Sequence, residues 1–399
     1  MPSRVLLIAP QPFYTARGTP MNVLQMCRAL SHGGYHVDLA TYPLGETVEL
    51  PGLRIFRAPR LPGIHSVPIG FSVRKLALDI ALGLRVAERL LRERYVAVHA
   101  VEEAVFLALP AVFLGTPLVY DLDSQLSEQL AYGGTIRSPW LLRGVRSLER
   151  FALRRSRAAI TVCRSLTIAA KKLCPEAEIF QIEDAPLEES LLDPDDQRVA
   201  ELRRELRLED RPIVVYTGNL ERYQGIELLL ESAEVLRMQM PDVAFLLVGG
   251  DTGGVARLQA ELTLRGLDSN VIAVGPRPPE QMADWMGLAD VLISPRIHGD
   301  NTPLKLYTYM RSGRPIVATA LVTHTQVLDG TTAILCAPDA ASMADGLLRA
   351  LKGGDEVRAL GTRARELAET QYSPEAFRFK LLSAYASLFG APSSPQTAG

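Results

Sequence analysis

Residues 294–319, SPRIHGDNTPLKLYTYMRSGRPIVAT, read as a strand end, a polar loop, a helix, a glycine stop and a second strand. Thr302 offers a side-chain oxygen suited to an N-cap, and Pro303 fits the first helical position, where its missing N–H costs nothing. Gly313 suits the left-handed residue after a helix, and Pro315 forbids continuation. The predicted helix, 303–312, opens at the loop His298-Gly299-Asp300-Asn301-Thr302. Its free N–H groups, with Lys305 in the first turn, suit an anion such as a diphosphate. The same segment also reads as an ordinary capped connection in an α/β domain, and alone it leaves both readings open.

Outward from this stretch the same rhythm recurs, a short apolar run, a turn, then an amphipathic segment of helix length. That alternation predicts parallel sheets covered by helices. In the first half, strands are expected at Val5–Ala9, Val37–Thr41, Arg54–Phe56, Ala97–Ala100, Leu118–Tyr120 and Ala159–Val162. Helices are expected at 20–32, 73–95, 103–113, 140–156 and 165–173. In the second half, strands are expected at Ile213–Tyr216, Ala244–Val248, Val271–Val274, Val291–Ser294 and Ile316–Ala318. Helices there are expected at 225–239, 254–266, 279–287, 303–312, 340–352 and 354–370. Glu183–Asp210 is acidic and lacks a strand signal, which puts a domain boundary within 185–211. The division is 1–186 for a first domain, 187–372 for a second, 373–389 for a final helix and 390–399 for a disordered tail.

The chain has 399 residues, 47% hydrophobic and 22% charged, with a net charge of −2, so nothing global points to nucleic acid. Cys27, Cys163, Cys174 and Cys336 lack CxxC spacing and suit apolar filling in a reducing compartment. The histidines form no HExxH-like pair, so no protein-held metal is expected. The longest apolar stretch, Ala104–Tyr120, is broken by Pro110, Gly115 and Pro117 and is short for a membrane span. A cytoplasmic protein is expected.

Three further groups bear chemistry. The loop Pro10–Pro20 joins the first strand to a helix; Gly18 permits close backbone approach and Arg17 suits a phosphate. One glycine is not GxGxxG, so a dinucleotide site is poorly supported. Residues 218–225, GNLERYQG, follow the first strand of the second half, and Asn219, Arg222 and Gln224 suit phosphate or sugar oxygens. A plain turn with solvated polar residues explains the spacing equally well. His99, Glu102, Glu103, Asp121 and Asp123 gather at two strand ends, a pattern fit for sugar hydroxyls or acid/base work. For Glu102 and Glu103, carboxylates favoured by a helix dipole are the competing reading.

Segment 137–157 carries Arg137, Arg143, Arg146, Arg150, Arg154, Arg155 and Arg157 against Glu149, interleaved with Trp140, Leu141, Leu142, Leu148, Phe151 and Leu153. Such a helix suits the inner face of an anionic membrane; an ordinary helix with a solvated Arg face is the competing reading. Segment 59–75 is also apolar with basic ends.

At this point the chain resembles the retaining glycosyltransferases of family 4. The resemblance is carried by YTGNLERYQGIELLLESAEVL, FLLVGG, VGPRPPEQMADWMGLADVLISPR and NTPLKLYTYMRSGRPIVAT, and in the first half by RGTPMNVLQMCRAL and PLVYDLDS. It implies the α/β GT-B fold, two Rossmann-like domains facing each other across a cleft, with a last helix from Pro374 crossing back to the first domain. It implies a nucleoside diphosphate sugar on the second domain, a glycan or lipid-linked acceptor on the first, transfer to a hydroxyl with retention, and no metal or other cofactor. Envelope or polysaccharide synthesis is the expected setting.

Carried onto this chain, the resemblance assigns Asp123, Asp300 and Lys305 to catalysis. It assigns Gly18, Asn219, Arg222, Gln224, Gly225, Asn301, Thr302, Pro303, Leu304 and Thr308 to donor binding. Arg17, Glu102, Glu103 and Asp121 fall on the acceptor side. The chain departs from the family at specific places. Asp300 and Thr308 stand where two glutamates eight positions apart are usual, and Asn219 and Gln224 where an arginine and a lysine are usual. Asp123 stands where a histidine is common. These departures motivate an alternative, a non-catalytic GT-B protein that binds a glycan or partners an active transferase. A nucleotide-sugar epimerase is the third reading.

Overall fold

The computed structural model describes residues 3–15, 18–64, 67, 72–132, 138–184 and 193–390. Arg17, Arg137, most of the loop 65–71 and the tail 391–399 lie outside them. By its contacts the chain divides into two units, Met1–Asp184 with Glu375–Gly399, and Ala185–Pro374.

The first unit runs β1 (Arg4–Ala9), α1 (Gly18–His32), β2 (His36–Thr41), β3 (Leu53–Arg57), α2 (Val73–Arg92), β4 (Ala97–Val101), α3 (Ala104–Phe113), β5 (Leu118–Leu122), α4 (Leu126–Tyr132), α5 (Pro139–Arg155), β6 (Ala158–Thr161), α6 (Arg164–Leu173) and β7 (Ile179–Gln181). Its strands are continuous apolar runs because both faces of a parallel sheet are covered; Val5 to Ala9 are fully buried. The order is β3-β2-β1-β4-β5-β6-β7, all parallel. Strand order reverses between β1 and β4, which opens a crevice at their carboxyl ends.

The second unit runs α7 (Asp196–Glu205), β8 (Ile213–Thr217), α8 (Ile226–Arg237), β9 (Ala244–Val248), α9 (Thr252–Arg265), β10 (Val271–Gly275), α10 (Met282–Gly287), β11 (Val291–Ser294), α11 (Lys305–Arg311), β12 (Ile316–Thr319), α12 (Val322–Thr325), β13 (Ile334–Cys336), α13 (Ala340–Lys352) and α14 (Asp355–Gln371). The order β10-β9-β8-β11-β12-β13 places the reversal between β8 and β11. Aspartates start the helices: Asp251 accepts from Gly254 N and Asp339 from Ser342 N. The final helix, α15 (Pro374–Phe389), returns to the first unit, where the Tyr385 hydroxyl lies 2.7 Å from His99 Nδ1.

Several expectations need correction. The helix predicted over 303–312 is α11, Lys305–Arg311, so Thr302 does not cap it. The amides of Leu306 and Tyr307 bond to the carbonyls of Pro303 and Leu304, three residues back. This tight turn leads into α11 and takes up two amides of its first turn. Gly313 does close the helix in the left-handed region, φ +70°. β5 extends to Leu122, so Asp121 is a strand residue rather than the first residue after the strand. The stretch without strand signal contains α7, started by Asp195, which accepts from Gln197 N and Arg198 N. It is polar on nearly every side, so its apolar period is faint. The three-residue strands β7 and β13 and the short α4 and α12 are too brief to show a period.

Candidate functional site

In the second unit, the two loops at the β8/β11 reversal come together. Ile297 N donates to Tyr223 O at 3.0 Å. Gly225 has φ +76°, and a Cβ there would lie 1.9 Å from the Pro295 carbonyl oxygen, so only glycine permits this contact. Gln224 is thereby buried on a 3₁₀ turn, Arg222–Gln224, while Arg222 stays exposed. Lys305 Nζ donates to Gln224 Oε1 at 3.2 Å and lies 3.9 Å from the centre of the buried Tyr216 ring. Burial and the nearby Arg296 push the Lys305 ammonium well below the usual lysine range. A charge crowded in this way gains from an anionic ligand.

Arg296 organises the neighbouring loop. Its Nε donates to His298 O at 2.7 Å and a terminal nitrogen donates to Asn301 Oδ1 at 2.9 Å. Gly299, φ +116°, lets the chain wrap around the guanidinium, which a Cβ would strike at 2.1 Å. Asp300 is exposed, and its carbonyl accepts from Gln326 Nε2 at 2.9 Å. Thr302 and Pro303 are buried; Leu304 and Thr308 are half-buried. Asn219 serves its own loop, accepting from Glu221 N at 3.2 Å and donating to the Tyr223 hydroxyl at 3.1 Å.

Arg296 and His324 are absent from the sequence-based assignment. Arg296 had a signal, an arginine at a strand end three residues before a glycine. His324 had none beyond a lone histidine. It is fully buried, with Nε2 2.8 Å from Ser294 Oγ and Nδ1 2.9 Å from Thr319 O. Burial, opposed by the Thr319 carbonyl and reinforced by Lys305 and Arg296, pushes its pKa down to about 3. Neutral His324 therefore donates through Nδ1 and accepts from Ser294, tying the ends of β11 and β12 together.

In the first unit, carboxylates gather at the ends of β4, β5 and β7. Glu102, at φ +50°, donates its amide to Asp121 O at 2.9 Å and accepts from Ser124 Oγ at 3.3 Å. Asp121 is buried in β5, its Oδ2 3.5 Å from His99 Nε2. Burial and the charges of Asp121 and Glu102 hold Asp123 well above the usual carboxylate range. Burial pushes Glu102 to about 7, with Glu103 adding to the effect. Asp184, missed in the sequence because it sits in the acidic stretch, is raised to about 7 by burial and Asp121. Glu103 is paired with Lys75. Gly18 is the exposed first residue of α1, with open space where a Cβ would stand. Among the described residues, no group of three or more His, Cys, Asp or Glu is arranged to hold a metal ion.

Two family models match the chain, Glycosyl transferase 4-like domain over residues 17–170 and Glycosyl transferases group 1 over residues 211–353. Alpha-D-kanosaminyltransferase of Streptomyces kanamyceticus is 28% identical over 320 residues, 76% of this chain and 80% of that protein. Sucrose-phosphate synthase from Thermosynechococcus elongatus superposes with a TM-score of 0.78 at 21% identity, covering 98% of this chain and 100% of that one. Anabaena HepE in complex with UDP and glucose gives 0.73 at 16% identity, covering 96% and 99%. These structures share the fold.

Proposed function

From the premise that the chain belongs to the GT4-type glycosyltransferases of GT-B fold, we propose that it moves a sugar from a nucleoside diphosphate to an acceptor hydroxyl with retention of configuration. The observation that carries the donor assignment is Lys305 at the β8/β11 reversal. Its ammonium reaches Gln224, the position where the family places a lysine, so the cation arrives from α11 instead. Lys305 and the exposed Arg222 neutralise the diphosphate as it leaves, while Arg296 holds Asn301 and the loop bearing Asp300. In this reading the two cations take the part of a metal, and the leaving phosphate takes the acceptor proton. The carboxylates Glu102, Asp121 and Asp123 receive the acceptor. UDP, GDP and ADP sugars are offered to the protein, and the anomeric configuration of the product is read by NMR. Inverted product overturns retention. Binding of no nucleotide favours the non-catalytic reading, and an isomerised donor in the absence of acceptor favours the epimerase.

Work at an anionic membrane surface is part of the same proposal. Among the described residues no helix is long and apolar enough to cross a membrane. α3 packs between α2 and α5, and these three helices leave large apolar side chains exposed. On α2 they are Val73, Leu76, Ile80, Leu84 and Leu91, and on α3 Phe113. On α5, Trp140, Leu141, Leu148 and Phe151 fall within about 100° of one face. Arg143 stacks over the Trp140 ring at 4.0 Å, and Arg146, Arg150 and Arg154 flank the strip. Co-sedimentation with phosphatidylglycerol vesicles, lost in Trp140→Ser/Arg150→Glu, is expected. Recovery of the unaltered protein in the supernatant refutes this part.

A further inference from the structure

We propose that the carboxylate rim of the first unit selects an acceptor bearing a primary ammonium group. The inference rests on the transferase reading and narrows the substrate class of its acceptor side.

Glu102, Asp121, Asp123 and Asp184 come from the ends of three strands in the same sheet. The cations nearby are engaged elsewhere, Lys75 with Glu103 and Lys380 with Glu183. Among the described residues, no lysine or arginine pairs with Asp121, Asp123 or Asp184. Asp123 and Asp184 each feel acidic neighbours, and no cation offsets either of them.

A second observation is independent of the acidic count. His99 is fully buried, and its Nδ1 is held by the Tyr385 hydroxyl. Its Nε2 is thereby aimed at Asp121 and makes no hydrogen bond. Asp123, 9% exposed, also has an oxygen, Oδ1, without a partner. Buried polar atoms are seldom left unpaired without a functional reason. An ammonium group carries three donors, no acceptor and one positive charge, which matches what these oxygens lack. A metal ion would need a tighter convergence of ligands than the rim provides. Burial and acidic neighbours hold Glu102, Asp123 and Asp184 toward the protonated form, and a bound ammonium would draw them to the carboxylate, which a neutral sugar hydroxyl cannot do.

The test uses the full chain. Binding of methyl glucosaminide and 1,3-diaminopropane is measured by titration calorimetry against methyl glucoside and methyl N-acetylglucosaminide. The amines are expected to bind at least tenfold tighter than the neutral compounds. Asp184→Asn and Glu102→Gln are expected to shrink that ratio, a readout that partial misfolding would not change. Equal binding of charged and neutral probes, no binding of either amine, or an unchanged ratio in the variants overturns the proposal. Nucleotide-sugar binding is measured separately on the same samples. If it fails while the amines bind, the transferase reading falls; if it holds without amine preference, only this inference falls.

Discussion

In the proposed donor site, Lys305 would replace a side chain that its neighbouring loop lacks. The loop after β8 has glutamine where its family has lysine, and α11 projects a lysine onto that glutamine. On the proposed reading, removing this cation would take away a counter-charge of the diphosphate. Lys305→Ala is expected to lower kcat/KM by about 10²-fold. Steady-state kinetics on the competent donor decide it, and unchanged kinetics remove Lys305 from the site. His324, beside it, sets a different expectation. Its folded pKa of about 3 lies below the ordinary histidine value of about 6.5, so the unfolded chain binds a proton that the folded one refuses. The stability it contributes is full above about 6.5 and is lost as pH falls toward 3. Thermal melts of His324→Gln should show a shallower acid-side slope than the parent protein.

At the scale of elements, the ends of β4, β5 and β7 behave in the opposite sense. Glu102 and Asp184 are raised to about 7, so the folded state holds protons that the unfolded chain releases. Their contribution is present below about 4 and is lost as pH rises through 7. Melting temperature measured across neutral pH should therefore fall with rising pH, with a smaller slope in Glu102→Gln. A slope unchanged by this substitution would contradict the burial of that carboxylate. Most elements were legible because long apolar periods and Asp, Pro and Gly punctuation mark them directly. α11 was not, since Thr302 and Pro303 carry helix-start chemistry yet sit in the tight turn before the helix. Asp121 was misplaced because a strand buried on both faces continues through a charged residue when the next strand needs its backbone.

For the whole molecule, α15 ties the end of the chain to its first unit. Tyr385 is fully buried and holds His99, and Lys380 pairs with Glu183. Tyr385→Phe leaves the His99 Nδ1 unpaired and is expected to cost about 1–3 kcal/mol in denaturant unfolding. A smaller loss would mean that His99 is satisfied in another way. Local period and punctuation in the sequence establish the two α/β halves and the loops that follow their strands, and its motifs carry the family resemblance. Only the tertiary structure revealed that Lys305 stands on Gln224, that Arg296 and His324 brace the loops around it, and that Asp184 joins a rim built from β4 and β5. Those pairings join residues far apart in the chain, and a parallel sheet sets them through strand order, which no local pattern encodes.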